Sequence, residues 1–257
     1  MCFNNSQGKS AEQVAREYGR KTDIIEAWKE IVEERRRNGQ KVFDLTDGAY
    51  NVPAILSPYS AIVTAEEQLH PMRWGLIPYN TKDWEAVQQK DKSGWYKNAK
   101  AEKVFDTWPY KLSIGHKRCI IPSTGYFEPH YNPDGSKVPY YAHIPGAELF
   151  SIGGLWSGWT DPETGENIES YTMITIGANE LMSEVHNGGN SPFRMPLIID
   201  PKNVDRWLDP DLKDQEIKAL FRPFPSGKME AYEVSKAMWS PRNMMDRRII
   251  EKVTNES

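Results

Sequence analysis

Residues 148–178 carry the pattern that most restricts the fold. Two β-type runs, ELFSIGGLWSGW and ESYTMITIGA, are separated by the turn-rich segment TDPETGEN and one isoleucine. So short a link has no room for the crossover, about a dozen residues or more, that parallel neighbours require, so the two runs read as an antiparallel hairpin. The pattern recurs upstream, where CIIPSTGYFEP leads through NPDGSK to VPYYAHI. AYNVPAILSP, SAIVTA and RWGLIP, each broken by Pro or Gly, are further short strands. Strands follow strands here, which disfavours a parallel α/β sheet. The expected fold class is α+β: a mainly antiparallel, short-stranded sheet or open barrel with peripheral helices.

The helices sit around this block. Ser10–Gln13 and Asp23–Glu26 have capping-box spacing, and Ile24, Ile25, Trp28, Ile31 and Val32 follow the second at helical intervals. The basic EERRR turn before Asn38-Gly39 suits the negative end of a helix dipole and needs no nucleic acid. Short helices are expected at 179–185, 201–208 and 209–222, a last strand at EAYEVS, and irregular structure with a helical turn or two over 80–117. There is no repeat or linker. One domain over 1–257 is expected, with a core of 1–237 and a polar tail of 238–257 that frays.

Charge and cysteine usage narrow the function. Thirty-two basic against 36 acidic side chains leave a net charge of −4, which gives no global case for nucleic-acid binding, although a local basic patch is compatible with it. Five histidines at 70, 116, 130, 143 and 186 have no metal-ligand spacing, and no P-loop, GxGxxG, HExxH or paired CxxC occurs, so neither metal nor cofactor is expected. No apolar run approaches the ~18 residues of a spanning helix, and no apolar h-region follows the start. A cytoplasmic protein without membrane contact is expected. Of the two cysteines, Cys119 lies in an apolar run and reads as a buried core thiol.

The other is Cys2, directly behind the initiator methionine. Once Met1 is removed, Cys2 carries an α-amine and a thiol on adjacent carbons. An α-amine has a reference pKa of about 7.7–8 against about 10.4 for lysine, so near neutrality it offers two to three orders of magnitude more free base. With an aldehyde, such an aminothiol forms an imine and then closes a thiazolidine ring through sulfur. Two other stretches carry chemistry. WYKNAKAEK interleaves lysines with aromatics, as a solvated helix face or a surface for phosphates and stacked bases. Glu128 closes the apolar run ending GYFE, and His186 precedes RMP by a short loop; each has the makings of an acid–base group, and each alone is more often a structural residue.

The order of these pieces is more specific than any one of them. An N-terminal MC, then WGLIP, NAKAE, GYFE, TMITIGAN and RMPLII resembles the SRAP family, the SOS-response-associated-peptidase-like proteins, over Cys2 to about Ser235. The resemblance implies an abasic-site processing protein, a monomer, associated with the nucleoid when engaged with damage. It implies Met1 removal by the protein itself and a covalent thiazolidine crosslink between Cys2 and abasic sites in single-stranded DNA, which shields the lesion. It assigns Cys2 as the crosslinking residue, Asn98 as the group that holds it, Glu128 as the acid–base carboxylate and His186 as the ring-opening and proton-transfer histidine. A strand groove is then expected along Lys97, Lys100, Lys117, Arg118 and Arg194, with bases on Trp74 and on Tyr110 or Phe105. Four features depart from the family pattern. Phe3-Asn4 replaces Gly-Arg after Cys2, Lys100 stands for arginine, and NGGNSPF lengthens the step from His186 to Arg194; residues 80–95 are also long. The rival readings are an N-terminal-nucleophile amidohydrolase and a non-catalytic reader of modified or damaged bases.

Overall fold

The computed structural model describes residues 3–254. Its strands are β1 (Asn4–Gln7), β2 (Ala49–Pro53), β3 (Tyr59–Val63), β4 (Leu69–Trp74), β5 (Asn98–Lys100), β6 (Arg118–Ser123), β7 (Gly125–Tyr131), β8 (Lys137–His143), β9 (Phe150–Thr160), β10 (Asn167–Gly177), β11 (Arg194–Pro196), β12 (Ile198–Ile199) and β13 (Glu230–Glu233). The helices are α1 (Ala11–Tyr18), α2 (Asp23–Arg37), α3 (Trp84–Lys92), α4 (Glu180–Val185), α5 (Val204–Leu208) and α6 (Asp214–Ala219).

The α+β expectation holds, and the barrel is closed. β10 pairs β9 along the hairpin read from residues 148–178, β9 pairs β6, β6 pairs β3, β3 pairs β4, and β4 returns to β10, the last pairing alone being parallel. Closure leaves no free edge within this ring. The far half of β10 continues past it, with β5 along Met173–Thr175 and β11 along Thr175–Gly177. A second, antiparallel sheet runs β13-β8-β7-β1-β2. The chain returns to it from β6 through Ser123-Thr124, where Ser123 Oγ lies 2.8 Å from Asn5 Oδ1.

Barrel strands alternate between two cores, as a period of two requires. Ala61, Val63, Ile120 and Ile174 face the helices, packing with Ile25, Trp207 and Ile217. Ile62, Cys119, Ile121 and Met173 face the second sheet, packing with Val52, Tyr126, Met182 and Met195. Burial pushes the Cys119 thiol far above its usual range, so it is inert packing, as read from the sequence.

Several sequence expectations change in detail. α1 has its capping box, with Ser10 Oγ accepting from Gln13 N at 3.3 Å and Gln13 Oε1 from Ser10 N at 2.9 Å. α2 starts at Asp23 with Thr22 in the N-cap position and no side-chain cap; the Thr22 hydroxyl donates instead to Glu26 Oε1 at 3.0 Å. The helix expected over 209–222 is only α6, while 80–117 holds the nine-residue α3 and the strand β5. β5 escapes a periodicity reading because three residues carry no period. The described part of the tail, expected to fray, is instead packed: Met238 and Ile249 are buried against Phe127, Tyr141 and Val234. The EERRR turn is structural. Arg36 pairs with Glu33 at 2.8 Å, and Arg35 pairs with Glu166 and lies 5.2 Å over the Trp28 ring. Among the described residues, no helix is long and apolar enough to cross a membrane.

Arg118, expected on a DNA groove, is a buried clasp. Its guanidinium donates to Trp207 O (2.7 Å), Ile114 O (2.7 Å), Gly115 O (2.6 Å) and Asp209 O, tying β6 to the end of α5. Buried carbonyls left without donors are expensive, at about 1–3 kcal/mol for each group that water cannot reach. Arg118→Met is therefore expected to lower unfolding free energy by about 3 kcal/mol or more in urea titrations. A loss within about 0.5 kcal/mol, the range of an ordinary surface change, contradicts the clasp.

Candidate functional site

The centre of the site follows from strand alternation on β7. Phe127 points toward the C-terminal segment, while Tyr126 joins the core between barrel and second sheet. Glu128, two residues after Tyr126, shares its face and is 1% exposed. β7 begins at Gly125 for a steric reason: a Cβ there would lie 2.2 Å from the Tyr141 ring, whose hydroxyl donates to Thr124 O at 3.0 Å.

His186 reaches Glu128 from the other side. α4 is capped by Asn179, whose Oδ1 accepts from Met182 N at 2.8 Å, and it ends on His186. The imidazole is 2% exposed, with Nδ1 3.8 Å from Glu128 Oε2. Nδ1 also lies 3.0 Å from Arg194 O. A carbonyl only accepts, so Nδ1 carries the proton, and in the neutral ring Nε2 is the basic nitrogen. A buried glutamate and a histidine of fixed tautomer thus lie side by side.

The long step from His186 to Arg194 leaves this geometry intact. Phe193 N donates to His186 O at 2.8 Å, closing the loop at its base, and Ala178 N donates to Phe193 O at 2.9 Å. Phe193 takes a φ of 56°, a left-handed turn rare for a bulky residue. The loop is laid on β7: Asn187 accepts from Tyr131 N at 2.9 Å and donates to Tyr131 O at 3.0 Å. Gly188 rests on the Tyr131 ring, where a Cβ would approach to 2.7 Å.

Asn98 enters through β10. It opens β5, opposite Met173, is half-buried, and its carbonyl accepts from Tyr110 Oη at 3.1 Å. At the Thr175 level β10 is flanked by Lys100 and Pro196. Arg194 bridges these flanks, donating to Glu102 at 2.7 and 3.1 Å and to Thr175 O at 2.6 Å. β10 thus carries Asn98 on one side and, on the other, the Arg194 carbonyl that orients His186. Cys2 lies outside the described residues. β1 fixes where the chain before it departs, since Asn4 opposes Phe127, the neighbour of Glu128.

Most of the expected DNA contacts are corrected by burial. Trp74 is 0% exposed; its Nε1 donates to Lys97 O at 2.8 Å and its ring stacks on Tyr171 at 5.7 Å. Lys97 is also 0% exposed, donating to Trp74 O (2.8 Å), Asp91 Oδ1 (2.8 Å) and Ser57 Oγ. Tyr110 is buried, and Phe105 packs on Phe221. Arg118 is the clasp described above, and the Arg194 guanidinium is engaged by Glu102. Lys100 and Lys117 remain half-exposed, Lys117 lying 4.9 Å over the Trp156 ring. Lysines interleaved with aromatics fit a stacking surface and a buried network equally well, and only the strand register separates the two. Among the described residues no three His, Cys, Asp or Glu side chains cluster as metal ligands.

The Lys97 network is an ion cluster under α3. Burial works against the Asp91 carboxylate, but Arg73 and Lys97 outweigh it and hold its pKa below the usual range. Burial pushes the Lys97 amine down to about 8, with Asp91 pulling the other way. An unfolded lysine titrates near about 10.4, so between these values the unfolded chain holds a proton that the native chain has released, and stability rises with pH. The stability difference between wild type and Lys97→Met is expected to climb from about pH 8 to 10 and to be flat below about pH 7. A flat difference throughout, in urea titrations at matched ionic strength, contradicts it.

Comparison with known proteins agrees with this architecture. A Bacteroides thetaiotaomicron protein of known crystal structure is 32% identical, with a TM-score of 0.84 covering 98% of this chain and 100% of that one. A Bordetella bronchiseptica structure at 21% identity and a TM-score of 0.71 shares the fold. The Bacillus subtilis abasic site processing protein YoqW is 32% identical over 206 residues, 77% of this chain and 86% of that protein. The Xenopus tropicalis abasic site processing protein HMCES is 30% identical over 167 residues, 57% of this chain and 46% of that protein. The model of the family described as SOS response associated peptidase (SRAP) matches residues 1–241, and the chain belongs to that family.

Proposed function

We propose that the chain processes abasic sites in single-stranded DNA by forming a thiazolidine crosslink through Cys2 after Met1 has been removed. The observation that carries this is the position of the Glu128–His186 pair at the middle of β7, where the start of β1 pairs with that strand. Residue 2 is two peptide units from Asn4, so covalent geometry holds its Cα within about 7 Å of the Asn4 Cα, which opposes the neighbour of Glu128. Abasic site processing is also what the named relatives are called.

The chemistry proceeds in balanced steps. The chain cleaves its own Met1 peptide bond, with Glu128 and Cys2 taking part, and water completes the hydrolysis. An abasic deoxyribose is mostly a closed hemiacetal, and His186 assists its opening to the aldehyde. The Cys2 amine adds to the aldehyde carbon and Glu128 moves the protons as water leaves, giving the imine. The Cys2 sulfur then adds to the imine carbon while its proton passes to nitrogen, closing the ring. The net change is loss of one water. Ring closure removes the iminium that would acidify the neighbouring sugar protons, so the strand is protected from β-elimination.

The test is direct. Purified protein is mixed with a single-stranded oligonucleotide bearing one abasic site, denatured and weighed. The expected product has the mass of protein without Met1 plus DNA less one water. Denaturation that returns only free protein and free DNA sinks the reading. An N-terminal-nucleophile amidohydrolase would instead acylate Cys2 with small amides, and a non-catalytic reader would bind DNA with unchanged affinity after Cys2→Ala.

A further inference from the structure

We infer that the cleft between α3 and the barrel is a nucleobase subsite, which holds one base of the strand near the abasic nucleotide. The inference rests on the single-strand reading above and adds a position to it. Two rings that line this cleft are left in water, Trp95 at 56% and Trp108 at 40% exposed, and Tyr79, 66% exposed, stands outside the lining against Trp108. Tyr79 and Trp108 meet edge to face at 6.3 Å, and Trp95 meets Tyr96 edge to face at 6.0 Å. The cleft, lined by Ile77, Lys82, Lys90, Trp95, Tyr96 and Trp108 among others, has a volume of about 200 Å³. That is room for roughly six or seven waters, the scale of one planar base and too little for a peptide helix.

Charge favours a nucleotide as occupant. Arg73 and Asp91 at the floor neutralise each other. Lys90 at the wall holds its ammonium 4.4 Å over the Trp95 ring, and the Lys82 side chain is 90% exposed at the rim. Exposed rings give a base a stacking partner of any sequence, and rim lysines meet its phosphate. The cleft also connects to the candidate site. Trp95 precedes Asn98 by three residues, about 11 Å at most. Tyr96 packs edge to face on Tyr110 at 6.1 Å, and Tyr110 Oη donates to Asn98 O. The cleft is built from the long 80–95 segment, one of the places where the sequence departs from the family pattern.

The experiment is a base-deletion scan. Single strands with one reactive abasic site carry a second, unreactive tetrahydrofuran residue moved one nucleotide at a time to either side. The readout is the strand concentration that gives half-maximal crosslinking. One position is expected to weaken wild type about tenfold, the order of one base–aromatic stack, and that dependence vanishes in Trp95→Ala/Trp108→Ala. Trp95→Phe/Trp108→Phe, which keeps stacking faces, retains it. Equal half-saturation at every position in wild type, or the same position dependence in the alanine double variant, overturns the subsite while the crosslink stands. Equilibrium binding of unmodified against wholly base-free strands reads the subsite without any crosslink. Wild type binding both equally overturns it, and a wild-type preference for bases that the double variant loses supports it even if the crosslinking reading fails.

Discussion

Cys2→Ala is expected to abolish the denaturation-stable adduct. Alanine keeps the α-amine but has no sulfur, so the reaction stops at the imine. An imine hydrolyses when the protein is denatured unless it is reduced first. Borohydride added before denaturation therefore restores an adduct to Cys2→Ala wherever Met1 has been removed. The stalled imine also acidifies the neighbouring sugar protons, so the variant is expected to cut abasic DNA more than wild type does. The terminal mass adds a second result. If the chain removes its own Met1 through Cys2, Cys2→Ala made in an aminopeptidase-free translation system retains methionine, carries no α-amine on residue 2, and loses the borohydride-trapped species at that position. A stable adduct of wild-type yield from Cys2→Ala removes Cys2 from the mechanism.

Glu128→Gln has the second largest expected effect. Glutamine has nearly the same shape and fills the same buried site, but it does not exchange protons near neutral pH. Loss of a positioned acid–base group lowers rates by about 10²–10⁴-fold, so crosslinking at saturating DNA is expected to slow within that range. The strand concentration for half-saturation stays unchanged, because a 1% exposed side chain makes little contact with ground-state DNA. Stability moves the other way. A carboxylate buried beside a neutral imidazole carries a desolvation cost that a neutral isostere of the same shape does not. Glu128→Gln is thus expected to melt at the wild-type temperature or above it. That result separates a catalytic carboxylate from a structural one, whose loss lowers the melting temperature. An unchanged crosslinking rate in Glu128→Gln excludes it as the proton-transfer group.

The hairpins were legible because Pro, Gly, Asp and Asn punctuate apolar runs at distances too short for a crossover, and β9–β10 and β7–β8 fall where that punctuation places them. Barrel closure was not legible, because the parallel β4–β10 pairing joins segments about a hundred residues apart and no local pattern encodes it. β5 was not legible because three residues have no period, and with it went the fates of Lys97 and Trp74. Their types matched a DNA surface, but the strand turned them into the protein, where Asp91 and the Trp74 carbonyl satisfy the amine. The exposed pair Tyr79 and Trp108 had no sequence signal, since an aromatic in a loop reads alike whether it packs or stands in water.

The sequence by itself determined the chemistry on offer: one cysteine directly behind the first methionine, a glutamate closing an apolar strand, a histidine at a helix end, and an order of motifs that placed the chain among the SRAP proteins. Those are properties of residue type and spacing. Which charges meet solvent and which clasp the core, that Glu128 shares a face with Tyr126 and lies 3.8 Å from His186, and that an inserted loop lies on β7 without separating His186 from Arg194, only the tertiary structure decided. The physical reason is that these outcomes depend on strand register and on pairings between distant segments, and register assigns each side chain its face only once the partner strand is in place.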